Sequence, residues 1–327
     1  MTHVKIGTRG SRLALSQSGQ ITDQLSAVGG FAAELVPIKT DGDILTGPLS
    51  QMGGTGVFAA ELRSAVLDGR VDVAVHSLKD LPTAAVPGLT LAAVPLRADF
   101  RDALCSRDGL SLGQLPQGAT VGTGSPRRAA QLLAYRKDLK IVDIRGNVDT
   151  RLARVPGLPG NPAVAAVPGK IGDLDAVVLA AAGLSRIDRL DTVTEFLDTE
   201  VMLPAPGQGA LALECRSADT DLSEVLGQSL AAVDDNDSRL AVTAERALLA
   251  RLEAGCSAPV GALAHRKGSM LYLETVVVSL DGVRSLRLKK ATDGLTTVGA
   301  TLLGIELAEE LLAGGAGDFA DLAGPTK

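Results

Sequence analysis

Apolar positions in the first third of the chain alternate between strand-like and helix-like spacing. Residues 4–6 and 32–38 predict strands, and the stretch between them has helical periodicity that stops at a glycine pair. A glycine-rich loop at 47–56 leads into a helix with one apolar face at 58–69, and a nearly continuous apolar strand follows at 71–75. Such a strand is typical of a parallel sheet covered on both faces. Strand–helix–strand units of this kind predict an α/β fold.

The same alternation starts again near Arg101 and predicts a second α/β unit. The predicted strands are 119–122, 140–144 and 175–180, and the predicted helices are 127–136, 147–155 and a third that starts at about 183. The stretch 156–172 is rich in Pro, Gly and Ala, so it predicts a surface loop.

After Met202 the pattern changes to that of a smaller α+β domain. Asp237 or Ser238 is expected to cap a helix that stops at Gly255. Three antiparallel strands and a last helix are then predicted, with a hairpin signal at Asp281 and Gly282. The predicted strands are 260–265, 270–280 and 283–289, and the last helix covers 297–312.

Composition agrees with a folded protein of two or three domains. The chain has 327 residues, against roughly 150 residues per domain. Hydrophobic residues make up 46% and charged residues 21%, which excludes disorder for most of the chain. Aromatic residues are 2% and the net charge is -6. A nucleic-acid partner is therefore not expected, because it calls for stacking platforms and positive charge.

The ends and the cysteines favour a cytoplasmic protein with no membrane partner and no metal. The first residues have no apolar region of the secretory type, and the apolar run at 176–184 is far below the roughly 20 residues of a membrane span. Cys105, Cys215 and Cys256 are odd in number and widely spaced, which favours neither a disulfide framework nor a metal site.

Several arginines lie in glycine-containing turns, although the net charge of the chain is negative. They are Arg9, Arg12, Arg127, Arg128, Arg145 and Arg151. Three such turns at the ends of parallel strands predict one arginine-lined cleft for a ligand with several carboxylates, because arginine binds carboxylates in bidentate geometry.

The turn before Arg127 and Arg128 opens a helix, so its backbone N–H groups suit an anion. Two adjacent arginines cannot share one helix face, so we expect them to reach different acceptors. The motif GTGSPRR at 122–128 lacks the lysine of a phosphate-binding P-loop. The alternative is an ordinary capped helix whose arginines face solvent.

Ser77, Lys79 and Asp80 follow the buried strand at 71–75, at the end where ligands bind in open α/β sheets. Asp80 can accept protons and hydrogen bonds, and Lys79 beside it favours the ionised carboxylate. The alternative is a solvated strand end that carries a surface ion pair.

Cys256 is surrounded by Gly, Ser and Pro after a helix, where a thiol can be accessible as a nucleophile or an attachment point. Cys105 and Cys215 lie in predicted strands, where burial as small hydrophobic side chains is expected.

Seven stretches resemble the porphobilinogen deaminase family, in family order across nearly the whole chain. They are TRGSRLAL at 8–15, GGTGVF at 53–58, HSLKDLP at 76–82, VGTGSPRR at 121–128, IRGNVDTR at 144–151, LPAPGQGAL at 203–211, and TAER at 243–246 with GCSAP at 255–259.

The resemblance implies two domains of type II periplasmic-binding-protein architecture and a smaller α+β domain with a three-stranded antiparallel sheet. The implied domains are residues 1–98 together with 200–217, residues 99–199, and residues 218–327. It further implies a monomeric transferase of tetrapyrrole and heme biosynthesis, which condenses four porphobilinogen molecules into hydroxymethylbilane and releases four ammonia molecules. A dipyrromethane cofactor, joined by a thioether to Cys256, is implied as well.

Residue roles implied by the resemblance divide between cofactor, substrate and catalysis. Asp80 is the implied catalytic carboxylate, with Lys79 beside it. Besides Cys256, the residues implied to hold the cofactor are Ser77, Lys79, Asp80, Thr123, Ser125, Arg127, Arg128 and Arg151. Those implied to hold the incoming ring are Arg9, Ser11, Phe58, Arg145, Arg151 and Arg186.

Two other functions fit parts of the pattern. A non-enzymatic anion-binding protein would use the same two-lobed fold, but it needs no thiol on a third domain. A phosphoryl-transfer enzyme would use the glycine turns, but the P-loop lysine is missing. Arg12 and Ala258 replace commoner family residues, and because Arg12 departs from the family pattern no ligand role is expected for it. The stretch 156–172 is longer than the usual connection in the family.

Overall fold

Three separate β-sheets organise the chain in the computed structural model, which describes residues 3–39, 57–159, 172–254, 258–320 and 322. Two sheets have five strands and the third has three. The predicted loop at 47–56 and most of the predicted loop at 156–172 lie outside the described residues.

The first sheet has the strand order β2-β1-β3-β10-β4. Its strands are β1 (His3–Arg9), β2 (Ala32–Ile38), β3 (Val73–Ser77), β4 (Leu89–Ala93) and β10 (Leu211–Arg216), and its helices are α1 (Arg12–Gly29), α2 (Val57–Leu67) and α6 (Val225–Val233). The expected parallel pairing of β3 is confirmed with β1 only, because β10 runs antiparallel to it. Leu230 of α6 packs in the same apolar cluster as Ile6 and Leu25. The boundary at 217/218 stays a prediction.

The second sheet repeats this plan in the order β7-β6-β8-β5-β9. Its strands are β5 (Asp102–Ser106), β6 (Thr120–Gly122), β7 (Lys140–Val142), β8 (Ala176–Ala180) and β9 (Glu195–Phe196), and its helices are α3 (Pro126–Tyr135), α4 (Val148–Leu152) and α5 (Ala181–Arg186). In each sheet the fourth strand in order runs antiparallel to both of its neighbours, and the other four strands share one direction. The predicted α/β fold with two similar lobes is confirmed.

Two chain segments, 94–101 and 197–210, cross between the lobes and touch each other. The Ala98 N–H donates to the Gly209 carbonyl at 3.3 Å. Gly209 has φ +87°, and a Cβ there would lie 2.6 Å from the Ala98 carbonyl oxygen. Only glycine allows this close approach, so the crossing depends on that residue.

The third sheet is antiparallel, as predicted, with strands β11 (Val260–Lys267), β12 (Met270–Val278) and β13 (Ser285–Thr292). Its helices are α7 (Asn236–Arg251) and α8 (Thr297–Ala313). The predicted cap of α7 is wrong, because the Asp235 side chain accepts the Ser238 N–H at 2.8 Å. Asp237 lies instead in the first turn, where the positive end of the helix dipole stabilises a carboxylate. The predicted stop at Gly255 lies outside the described residues.

Helix α3 of the second lobe packs against the third sheet. Its Ala130 shares an apolar cluster with Leu263 of β11 and Val276 of β12. The third sheet therefore supports the helix that carries Arg127 and Arg128.

Candidate active site

A cavity opens at the carboxyl ends of β1 and β3, and several predicted site residues line it. Arg9, Ser11, Ser77 and Asp80 are among the lining side chains. Ser11 also caps α1, because its Oγ accepts the Ala14 N–H at 3.3 Å. The Ser77 hydroxyl donates to Gln17 Oε1 at 3.1 Å. The end of the first sheet thus brings together hydroxyl, guanidinium and carboxylate groups.

Asp80 sits at the end of a single 3-10 turn, Leu78–Asp80, directly after β3. The Leu78 N–H donates to the Ala210 carbonyl, and the Leu81 N–H closes the turn on the Leu78 carbonyl, both at 3.1 Å. Leu78 is buried, which anchors the turn, while Asp80 is exposed and open to a ligand.

Arg127 and Arg128 converge on one buried carboxylate, that of Asp102 at the start of β5. The Arg127 Nη2 lies 2.9 Å from Asp102 Oδ2, and the Arg128 Nη2 lies 2.7 Å from Asp102 Oδ1. Our expectation of different acceptors for the two arginines is therefore wrong. Their long side chains bend from adjacent positions to the two oxygens of the same carboxylate. All three residues are buried, so the alternative of solvent-facing arginines is also wrong.

Sequence reasoning missed Asp102. The only signal was an acidic residue at the start of an otherwise apolar strand, DALC at 102–105. Burial raises the pKa of Asp102, but Arg127 and Arg128 outweigh it and lower the pKa to about 2. The carboxylate is therefore ionised throughout the physiological range.

Lys79 faces the same cluster from the first lobe. The pKa of Lys79 is lowered to about 8, chiefly by burial and next by the charge of Arg128, while Asp80 and Asp102 act in the opposite direction. Three cationic side chains, those of Lys79, Arg127 and Arg128, thus surround one buried anion, Asp102. This excess of positive charge favours a further anion in the cleft.

Gln208, which the motif at 203–211 contains without a predicted role, bridges the two lobes. Its Nε2 donates to Asp102 Oδ1 and to the Phe100 carbonyl, both at 2.8 Å. Its Oε1 lies 3.5 Å from Lys79 Nζ. One crossing segment therefore connects the lysine beside Asp80 with the anion that holds the arginine pair.

Thr123 and Ser125 shape the start of α3. The Thr123 Oγ1 accepts the Ser125 N–H at 3.2 Å, and Ser125 caps the helix by accepting the Arg128 N–H at 3.5 Å. A Cβ on Gly124 would lie 2.6 Å from the Ile144 carbonyl oxygen. The turn is thus closed against the end of β7, and only glycine fits there.

The remaining predicted arginines lie around the rim of the same cleft. Burial lowers the pKa of Arg151 to about 10, with Arg128 the next cause and Arg145 also contributing, whereas Asp80 acts in the opposite direction. Burial likewise lowers the pKa of Arg186 to about 10, and its Nη2 donates to the Gly209 carbonyl at 2.8 Å. Arg145 is exposed in the turn before α4. Arg151 of the second lobe is therefore close enough to the Asp80 carboxylate of the first lobe for their charges to interact.

Arg12 contributes to the contact between the lobes. Its guanidinium donates to Asp149 Oδ2 at 3.2 Å and to the Ile187 carbonyl at 3.1 Å. Asp149 also accepts from Arg189 at 2.7 Å. Arg12 is thus occupied by protein acceptors of the second lobe, in keeping with the expectation of no ligand role.

Comparison with known families gives this geometry a context. The family model described as "Porphobilinogen deaminase, dipyromethane cofactor binding domain" matches residues 4–224, and "Porphobilinogen deaminase, C-terminal domain" matches residues 239–313. The chain belongs to the porphobilinogen deaminase family. Relatives named porphobilinogen deaminase include one from Cutibacterium acnes, 53% identical over 98% of each chain. Another, from Micrococcus luteus, is 52% identical over 97% of this chain and 94% of the relative.

Solved structures with a similar backbone include a periplasmic substrate-binding protein of an ABC transporter from Coxiella burnetii. It is 16% identical, and the match covers 70% of this chain and 91% of that one with a TM-score of 0.42. The assignment of the chain to its family therefore rests on the sequence matches.

Two of the predicted site residues cannot be placed with their side chains. Cys256 belongs to the stretch 255–257 that is not described, and the side chain of Phe58 in α2 is not described either. Cys105 and Cys215 are buried as predicted, and burial raises the pKa of their thiols to about 11 and about 12. Neither is suited to act as a thiolate.

The described ranges also bear on metal binding and on membrane insertion. No cluster of three His, Cys, Asp or Glu side chains in these ranges could hold a metal ion. None of the helices described there combines the length and the apolar character that crossing a bilayer requires.

Proposed function

We propose that this chain is a porphobilinogen deaminase that joins four porphobilinogen molecules head to tail, releases four ammonia molecules and frees hydroxymethylbilane by hydrolysis. The observation that carries the proposal is the buried excess of positive charge around Asp102, next to the exposed carboxylate of Asp80. The family matches support it independently. They give no support to a plain anion-binding protein, because the matched models and relatives are deaminases.

The basic cluster fits the dipyrromethane cofactor, whose two rings each carry an acetate and a propionate. Arg127 Nε is buried and has no hydrogen-bond partner among the described residues, so the cluster has donor capacity left. Lys79, Arg127, Arg128 and Arg151 would hold the carboxylates, with hydrogen bonds from Ser77, Thr123 and Ser125. Cys256 would hold the cofactor by a thioether. When bound, the cofactor supplies the pyrrole carbon to which the first substrate ring is joined.

Asp80 is the proposed catalytic carboxylate. Porphobilinogen becomes electron-poor as the amino group of its aminomethyl substituent leaves as ammonia, and a fixed carboxylate stabilises the positive charge that develops on the ring. The remaining methylene carbon is then attacked by the free ring carbon of the preceding pyrrole, and the same carboxylate can accept a hydrogen bond from the pyrrole N–H and take up the proton that the attacking ring carbon loses. Its position at an exposed turn tip, close enough to Arg151 to influence the pKa of that arginine, supports this role.

Arg9, Arg145 and Arg186 are proposed to hold the carboxylates of the incoming ring, together with Ser11 and with Arg151 shared between the two sites. Arg9 and Ser11 line the cavity beside Asp80, and the buried Arg186 reaches the crossing segment at Gly209. Phe58 is proposed to pack against the ring. We further propose a cytoplasmic, monomeric enzyme with no nucleic-acid or membrane partner.

The test is an intact-mass measurement on purified protein, combined with a product assay. We expect the mass of two pyrrole units in excess of the chain, loss of that excess in Cys256→Ser, and formation of hydroxymethylbilane from porphobilinogen. Cys105→Ser is the matched control, since its buried thiol should leave the excess mass unchanged. An unmodified, inactive wild-type protein after expression with ample porphobilinogen would contradict the proposal.

A further inference from the structure

The turn that carries Asp80 is held from the third domain by one arginine. Arg246 of α7 donates from Nη1 to the Leu81 carbonyl and from Nη2 to the Pro82 carbonyl, both at 2.8 Å. These two carbonyls directly follow Asp80 in the chain. A planar guanidinium that binds two consecutive carbonyls fixes both the position and the direction of the backbone between them.

Helix α7 is itself fixed at the neighbouring position. Glu245 is fully buried and accepts from the Gly207 N–H at 2.6 Å and from the Ala264 N–H at 2.8 Å. It also pairs with Arg97 of the first crossing segment at 2.6 Å. Glu245 therefore bonds the two crossing segments, and the adjacent Arg246 bonds the Asp80 turn. The part of α7 that carries Arg246 is thus held rigidly.

Among the residues that the structure describes, Arg246 donates hydrogen bonds to these two carbonyls alone. Burial lowers the pKa of Arg246, and the nearby charge of Arg63 adds to that effect, with only Glu214 acting in the opposite direction. Arg63 is occupied by Glu214 through Nε at 2.9 Å. Burying part of a guanidinium costs free energy unless it is hydrogen-bonded, and the described hydrogen bonds that offset this cost for Arg246 all go to the Asp80 turn.

The same helix leads towards the residue that bears the cofactor. It ends at Arg251, and Cys256 follows five residues later in the sequence. We infer that Arg246 is a positioning residue, which sets the Asp80 carboxylate in register with the element that carries the cofactor thioether. This inference rests on the proposed function, because it concerns how the two parts of that site are aligned.

Without the guanidinium, two carbonyls next to Asp80 lose their donors. The turn keeps its bond from Leu78 to Ala210 but is free to rotate on the side that follows Asp80. A displacement of about 1 Å at a catalytic group can reduce the rate about 100-fold. Cofactor loading should depend less on this register, since Arg127 and Arg128 on α3 and Arg151 on α4 lie outside the Asp80 turn.

The experiment compares Arg246→Ala with Arg239→Ala, both purified with cofactor. Arg239 is a matched control on the same helix: it donates to the Ala92 carbonyl at 2.8 Å and to the Leu91 carbonyl at 3.3 Å, in β4 rather than in the Asp80 turn. We expect kcat per cofactor-loaded molecule to fall about 10-fold to 100-fold in Arg246→Ala, with KM for porphobilinogen changed less than about twofold. Arg239→Ala should keep kcat and lose only thermal stability.

Chemical rescue separates positioning from a general loss of folding. Millimolar guanidinium, well below denaturing concentrations, should restore part of the kcat of Arg246→Ala by donating to the same two carbonyls, and should not raise that of Arg239→Ala. Unchanged kcat in folded, loaded Arg246→Ala would overturn the inference, as would an equal loss in both variants without rescue. If wild-type protein makes no hydroxymethylbilane, the proposed function itself fails, and the two failures are thus distinguishable.

Discussion

Asp102 is the counter-ion of the buried arginine pair, a role that a bound anion could also fill. It is fully buried, and it accepts from Arg128 and Gln208 while pairing with Arg127. Removing one member of such a group leaves charges that have lost both water and their counter-ion. In the proposed site, Asp102 would therefore hold the two arginines in position for the cofactor carboxylates.

Asp102→Asn should lower the free energy of unfolding by about 3–5 kcal/mol, because two buried guanidinium groups lose their counter-ion. Denaturant unfolding measures the change. Asp99→Asn is the control, since Asp99 pairs with Arg101 in a partly exposed site where about 1 kcal/mol or less is expected. Equal losses in the two variants would contradict the role assigned to Asp102.

Lys79 makes carboxylate binding dependent on pH. Its pKa in the free cleft is lowered to about 8, chiefly by burial, and a carboxylate ligand beside it raises that pKa by favouring the charged form. Binding therefore takes up a proton, and affinity falls as the pH rises above about 8, by up to about tenfold per pH unit.

We expect the fraction of protein that acquires the cofactor mass on incubation with porphobilinogen to fall with rising pH more steeply in the wild type than in Lys79→Arg, whose guanidinium stays charged. The ratio of the two loaded fractions cancels the titration of the ligand itself. Parallel pH profiles for the two proteins would show that Lys79 does not bind the carboxylates.

At the residue scale, the sequence placed most candidate side chains near one cleft but missed their protein partners. Strand ends and glycine turns indicated Lys79, Asp80, Arg127 and Arg128. Asp102 and Gln208 carry no local signal, because their importance comes from contacts with residues that are distant in the chain.

At the scale of elements, the turn before α3 aligns the second lobe with the site. Gly124 faces the Ile144 carbonyl, and Ser125 caps the helix whose first turn carries both buried arginines. Loss of this close approach would displace the start of α3 from β7. The arginine pair would then move relative to Asp102.

Gly124→Ala should lower the free energy of unfolding by about 1–3 kcal/mol, because its Cβ would overlap a backbone oxygen that cannot move easily. It should also lower the fraction of molecules that carry the excess mass of the cofactor. Gly113→Ala is the control, since a Cβ there meets nothing within 4 Å. Normal stability and normal loading in Gly124→Ala would show that the turn tolerates a side chain.

Elements were predicted well where periodicity and stop signals coincide. The strand Ala32–Ile38 has the predicted bounds, and α8 begins at the predicted Thr297. The start of α7 was wrong because three acidic residues, at 234, 235 and 237, compete as caps. The antiparallel β10 could not be paired from the sequence, because it joins the first sheet only after the chain has crossed from the second.

At the scale of the whole molecule, the site exists only where all three parts meet. The first lobe supplies Asp80 and Lys79, and the second supplies the arginine pair. The third domain holds the Asp80 turn through Arg246 and supports α3 through its sheet. Hydrophobic patterning predicts each part separately, but long side chains that reach across the boundaries determine how the parts fit together.

The central claim is that Asp80 performs the condensation in a site whose cofactor is held by other residues. The most direct measurement is the rate of hydroxymethylbilane formation by Asp80→Asn, expressed per molecule that carries the excess mass of two pyrrole units. We predict normal loading and a rate at least about 100-fold below that of the wild type, because the amide can neither stabilise the cationic ring nor accept its proton. A rate close to that of the wild type in the loaded variant would contradict the claim.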